Sequence, residues 1–236
     1  MMKIEVLYPE VANLCGDLQN IEYLAKCCEA EVITTSLKTM PSFVNDDVTL
    51  VYMGSTTEKG EELIRDALIP YKEDIKKRID EGGLFLITGN ALEIFGEKIV
   101  CDDGMSIPML GIYDTYAKRQ LMNRYNSLYL GQYEDTKIIG FKSQFGHSYG
   151  DGTTPLFETI RGDGLNPEVK GEGIRINNYM ATYVIGPLLI MNPEFNLKLQ
   201  SMMGVKNPTL IHESEIMDLY HTRLAEFSEP DRGFIY

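Results

Sequence analysis

The first hundred residues alternate short apolar runs with amphipathic stretches. Residues 3–8 (KIEVLY) are largely apolar and stop at Pro9, which predicts a first strand. Ile21, Leu24, Ala25 and Cys28 recur at helical spacing, so a helix is expected over 18–30 with one buried stripe and Asp17 as its N-cap. Residues 31–37 (EVITTSL) are β-branched and predict a second strand, and 48–53 predict a third that ends at Gly54. Residues 58–80 carry two helical stretches broken at Pro70, because proline lacks the N–H and clashes with the preceding turn. Gly82 and Gly83 stop the second. Residues 84–87 form a fully apolar strand, followed at once by Gly89, Asn90 and a short helix to Phe95. Strands alternating with helices imply a parallel sheet covered on both faces.

From Tyr113 the pattern changes. Tyr, Asn and Gly become frequent, and short β-like runs appear at 127–133, 137–141 and 181–185. Gly162, Gly164, Gly171 and Gly173 mark loops that need a permissive backbone. Pro193 opens a helix through Met203, a favoured place for proline, and 214–227 predict a last acidic helix. The expected organisation is one main domain over 1–203 and a helical tail over 204–236.

Charge narrows the function classes. A net charge of -13 argues against a nucleic-acid partner, since phosphate binding draws on clustered Lys and Arg. No apolar run approaches the ~18 residues of a membrane span, so no membrane partner is expected. The four cysteines, Cys15, Cys27, Cys28 and Cys101, make no CxxC pair, and adjacent Cys27 and Cys28 are poorly placed to bond each other. This predicts a reduced, cytoplasmic protein.

Three segments then stand out together: LYPEVANLCGDLQNI from residue 7, EGGLFLITGNALEIFG from residue 81 and MATYVIGPLLIMNPEF from residue 180. In order and spacing they resemble the cobyric-acid-synthase-type (class I) glutamine amidotransferases, and among them the stand-alone glutaminase subunit of lipid II isoglutaminyl synthase. The resemblance spans nearly the whole chain to about Met203. It implies an α/β, flavodoxin-like fold with a mostly parallel sheet, helices on both faces and a β-rich second half.

In that family a cysteine on a tight strand-to-helix turn attacks glutamine, because a thiolate at a helix N-terminus is a strong, exposed nucleophile. A histidine carries the proton, and backbone N–H groups hold the oxyanion. The family's turn, Cys-Gly-Gly-Tyr-Gln-Leu-Leu-Gly, falls on Gly89, with Asn90, Ala91, Leu92 and Glu93 after it. The family's Thr-Tyr-Leu-His-Gly-Pro segment is here 182–187, with Ile185 at the histidine. The oxyanion loop matches Met53-Gly54-Ser55-Thr56-Thr57, and the family's Gly-Phe-Glu-Asn-His matches Gly140-Phe141-Lys142-Ser143-Gln144. The nucleophile and its base are both missing from these positions. What remains is a pocket built from Gly54, Ser55, Asn90, Glu93, Gln144 and Tyr183, and a loop after the first strand carrying Asn13, Gly16, Asp17 and Asn20.

Replacements for the lost groups are scarce. His147 reads as a solvated side chain; His212 and His221 lie in the tail. Cys15 reads as a small buried or semi-buried thiol, and Cys101 lies in a polar loop beside Asp102 and Asp103. Those two acids with Glu97 fit no EF-hand spacing, so no metal is expected, and no motif asks for a cofactor. The leading expectation is an amidotransferase-like subunit without glutaminase activity. It would serve as a structural or regulatory partner of a Mur-ligase-like, amide-forming synthetase in cell-wall or cobalamin-type amidation. Two alternatives stay open. One is an active amidotransferase or other enzyme with a site rebuilt from Tyr183, Lys142, Glu93, Gln144 and His147. The other is a sensor that binds an amino acid as a small-molecule ligand.

Overall fold

The computed structural model describes residues 1–150, 154–231 and 233. In the first half, β1 (Lys3–Leu7), α1 (Gln19–Cys28), β2 (Glu31–Thr35), β3 (Leu50–Met53), α2 (Glu58–Leu68), α3 (Lys72–Asp80) and β4 (Leu84–Thr88) follow one another. A short 3-10 turn holds Pro70 between α2 and α3, as its missing N–H requires. The second half adds β5 (Lys98–Val100), β6 (Ser106–Pro108), β7 (Tyr116–Arg119), β8 (Tyr125–Tyr133), β9 (Thr136–Gln144), β10 (Gly146–Tyr149), β11 (Phe157–Arg161) and β12 (Gly171–Glu172). It then returns through β13 (Ile174–Ile176) and β14 (Tyr179–Thr182) to α4 (Leu188–Met191), α5 (Pro193–Met202) and α6 (Glu213–Ser228).

The main sheet runs β13-β14-β4-β3-β1-β2 and is parallel except for the β13–β14 pair. Its two faces are read directly from strand alternation. Leu50, Tyr52, Leu84 and Leu86 face a cluster with Ile21 and Leu24 of α1 and Phe195 and Leu199 of α5. Val51, Met53, Phe85 and Ile87 face Ile64 and Leu68 of α2 and Ile75 and Ile79 of α3. Both faces are therefore covered, which is why these strands are apolar without a break.

Two further sheets make up the β-rich half, with orders β10-β7-β5-β6 and β12-β11-β8-β9. Tyr129, Tyr133 and Ile138 turn toward the α1 and α5 side of the core. On the opposite face Leu130 and Ile139 pack against Tyr220 and Phe227 of α6, so the tail helix is seated on this sheet. The polar loop expected at 100–103 is the turn of the β5–β6 hairpin, except that Val100 ends β5; Cys101 opens the turn and packs near Ile99, Met109 and Ala117.

Candidate functional site

Loops leaving the C-terminal ends of β1, β3, β4 and β14 meet around a cleft of about 150 Å³. This is the edge at which open α/β sheets take ligands. Ser55, Gly89, Asn90, Gln144, Tyr183 and Ile185 all line it, so six of the residues singled out in the sequence converge.

β4 ends at Thr88, and the chain turns at Gly89 with φ +65°. A left-handed residue at a strand-to-helix turn is the backbone form that lifts a nucleophile clear of a sheet. Gly89 has no side chain to lift, and no space for one. A Cβ there would overlap the Ser55 Cβ and lie 3.1 Å from the Ser55 Cα.

Asp17 holds Ser55 in that place. Its fully buried carboxylate accepts from the Ser55 N–H and from the Thr88 hydroxyl, both at 2.8 Å through Oδ2. The Tyr52 hydroxyl and the Asn20 amide donate to the Asp17 carbonyl at 2.8 and 2.9 Å. Burial pushes the Asp17 carboxyl up, and its donors, led by the Ser55 N–H, pull it partly back. Asp17 is therefore not the cap of α1; the residue before that helix is Leu18, with no side-chain cap. The side chain turns inward because the ends of β3 and β4 offer it donors. Gly54 is required next to it, since the Ala12 carbonyl oxygen lies 2.8 Å from where a Cβ would stand. Asn13 steadies the same loop by accepting from the Leu18 N–H at 3.0 Å, and Gly16 turns it with φ +74°.

The neighbouring N–H is also satisfied. Thr56 donates to Asn90 Oδ1 at 3.0 Å, and Asn90 Nδ2 donates to Glu61 Oε1 at 2.7 Å. Across the cleft Ile185 is 2% exposed. Its backbone exchanges two hydrogen bonds with Phe141, at 3.0 and 3.1 Å.

Behind the cleft wall lies a buried charged network. The Tyr183 hydroxyl donates to Glu93 Oε1 at 2.9 Å and meets the Ser148 hydroxyl at 2.8 Å. Arg119 pairs with Glu61 and lies 3.9 Å from Glu93. Two carboxylates thus share one guanidinium. Burial pushes the Glu93 carboxyl up to about 7, against the pull of Arg119. Burial, then Glu93 itself, pushes Glu61 well above the usual carboxylate range.

Three expectations need correction. Glu93 and Lys142 do not line the cleft. Lys142 is 1% exposed, donates to the carbonyls of Gly164 and Asp163 at 2.7 and 3.0 Å, and pairs with Glu172 at 3.3 Å. It ties β9 to the 162–172 segment. His147 is not solvated: it is half-buried, edge-on to Tyr125 at 5.0 Å, and its buried Nε2 has no partner. Burial and nearby Lys142 lower its pKa, and it lines a different concavity. Cys15 is exposed rather than buried, because residues 14–16 form a single surface turn at the cleft mouth. Partial desolvation of the thiol against the cleft wall, then the Asp17 charge, pushes its pKa up, and Arg124 pulls the other way; the thiol is therefore weak as a nucleophile.

Arg124, Glu61 and Arg119 were not found from the sequence. Arg124 sits in the short segment between β7 and β8, on the rim of the cleft. Glu61 sits among Glu58 and Glu62 in α2 and carries no local sign of burial. Among the described residues no cluster of three or more His, Cys, Asp or Glu is placed to hold a metal, and no helix is long and apolar enough to cross a membrane.

Residues 3–192 match the CobB/CobQ-like glutamine amidotransferase domain. The chain belongs to this family. It is 26% identical over 205 residues to subunit GatD of lipid II isoglutaminyl synthase (glutamine-hydrolyzing) from Streptococcus pneumoniae, covering 84% of this chain and 78% of that protein. Its identity to the Staphylococcus aureus GatD subunit is 28% over 185 residues, covering 77% and 76%. A crystal structure of a glutamine amidotransferase superposes with a TM-score of 0.58 at 15% identity, over 85% of this chain and 99% of that one. That likeness is one of fold, and it agrees with the mixed, mainly parallel sheet. The helix α6 lies beyond the matched residues.

Proposed function

We propose that this chain is an amidotransferase-fold subunit that does not hydrolyse glutamine. It acts as a structural or regulatory partner of a Mur-ligase-like, amide-forming synthetase in cell-wall amidation. The observation that carries the reading is the turn at Gly89. The backbone keeps the form of a nucleophile elbow, yet Ser55 occupies the volume of the missing side chain. Ile185 in the opposite wall offers no proton acceptor, and the N–H groups of Ser55 and Thr56 are already bonded within the chain. Among the described residues lining the cleft the one thiol is Cys15, and there is no histidine. The GatD relatives are named as subunits of a synthase, which supports a partner subunit here.

The test is ammonia release from glutamine by the purified chain, alone and with a candidate ligase subunit. The expected result is none. Release at ordinary enzymatic turnover, about 1–1000 per second, would overturn the reading. A Ser55→Gly/Gly89→Cys/Ile185→His variant should regain slow turnover. Gly89→Cys alone should not, because Ser55 blocks the Cβ.

A second reading, amino-acid sensing, draws on Gln144. Its Oε1 is a buried acceptor with no partner, at a cleft lined also by Arg124. A flat melting response across an amino-acid panel would remove it.

A further inference from the structure

Beside the cleft lies a second concavity of about 400 Å³, built on one face of the β7–β10 pair. His147 stands directly opposite Lys118, and Tyr149 directly opposite Tyr116, so four side chains share that face. The Tyr116 and Tyr149 rings stack at 5.9 Å. Lys118 Nζ sits 4.4 Å from the centre of the Tyr149 ring. Arg124 lies with its guanidinium 4.7 Å from the centre of the Phe145 ring.

The charge arrangement here runs against the rest of the chain. The sequence carries 35 acidic and 22 basic side chains. Even so, neither Lys118 nor Arg124 has a carboxylate within ion-pair distance among the described residues. Aromatic faces hold both cations in position without neutralising them. Among the described residues Asp163 is the one acid lining the concavity, beside the two cations. The side-chain amides of Gln120, Asn123 and Asn126 line the same space.

We propose that this concavity binds the phosphate group of a small hydroxylated molecule. A guanidinium, an ammonium and several amide N–H groups offer more donors than the two oxygens of a carboxylate can take, and a phosphate has three. The Tyr149 ring and the amides suit a polar body bearing hydroxyls. The site is separate from the cleft at Gly89 and does not depend on whether glutamine is hydrolysed.

The experiment is calorimetric titration of the full chain at constant ionic strength with inorganic phosphate, glucose 6-phosphate and glucose. Glucose 6-phosphate should bind and glucose should not. Inorganic phosphate separates the two sources of the group: binding as tight as the ester assigns the site to the free anion, and weaker binding assigns it to an ester. Lys118→Gln should weaken binding by about tenfold, the loss of one charge-assisted contact. Lys59→Gln removes the same charge from the exposed surface of α2 and should leave the affinity unchanged. No binding of either phosphate at millimolar concentration would overturn the proposal. So would equal weakening by Lys118→Gln and Lys59→Gln, since that is a net-charge effect and not a site.

Discussion

The cleft above Gly89 and the concavity around Lys118 share Arg124 and Phe145 as a common wall, yet they treat polar groups in opposite ways. In the cleft, donors are matched to acceptors of the same chain: Ser55 to Asp17, Thr56 to Asn90, Asn90 to Glu61, Tyr183 to Glu93. In the concavity, two cations rest on aromatic rings with no carboxylate of the described residues within ion-pair distance. The difference separates stability from binding. A group whose partner lies inside the chain contributes to the fold, and removing it leaves a buried orphan. A group whose partner is absent contributes little to the fold and is free to meet a ligand.

The largest expected effect therefore lies in the cleft. Asp17→Ala strips the Ser55 N–H and the Thr88 hydroxyl of their acceptor in a fully buried place. Each orphan costs about 1–3 kcal/mol, so the melting temperature should fall by roughly 5–15 °C for a chain of this size. A fall of a degree or less, measured by differential scanning calorimetry, would mean that water enters the loop and satisfies both donors.

A middle-sized effect depends on pH. Glu93 has its pKa raised in the folded state to about 7, above the ordinary 4.5, mainly by burial. Its contribution to stability is in full force below the unfolded value and is lost as pH rises through the folded one. Glu93→Gln removes that loss, because an amide cannot ionise and its oxygen still accepts from Tyr183. The variant should gain about 1–3 kcal/mol over the natural chain at pH 8. The gap should close on the way down to pH 4.5. A gap that does not change with pH would show that Glu93 is ionised throughout and that Arg119 serves both acids.

These two tests also mark where the sequence stops being informative. β3 and β4 are legible because strands buried on both faces must be apolar at almost every position, whereas β2, an exposed edge strand, was legible from its β-branched residues. β9 was expected only over 137–141, yet it runs to Gln144. Pairing with β8 along the whole hairpin carries the polar residues Lys142, Ser143 and Gln144 into the strand. β7 carries Lys118 and Arg119, and nothing in its four residues marks a strand. In the site, the motif positions Ser55, Gly89, Asn90, Gln144, Tyr183 and Ile185 were legible because they sit in four segments that match family motifs, 53–57, 81–96, 140–144 and 180–195. The Glu61–Arg119 pair spans 58 residues between an acidic helix and a polar strand. Only the tertiary fold brings those two together, so local pattern has no access to them. Asp17 shows the reverse case, a residue correctly noticed and given the wrong task, because a cap and a buried acceptor call for the same side chain.

The smallest expected effect is the one that sharpens the contrast most. Lys118→Gln touches no carboxylate and leaves its strand pairing with His147 to the backbone. Its stability should stay within about 0.5 kcal/mol of the natural chain, the range of ordinary surface substitutions. The lost contact is with the Tyr149 ring, which at an exposed site contributes about 0.5–1 kcal/mol. Urea denaturation resolves the question: an unchanged midpoint beside weakened phosphate binding separates the two roles cleanly. A destabilisation comparable to that of Asp17→Ala would place Lys118 among the groups that hold the fold, and the concavity would then lose its claim to a ligand.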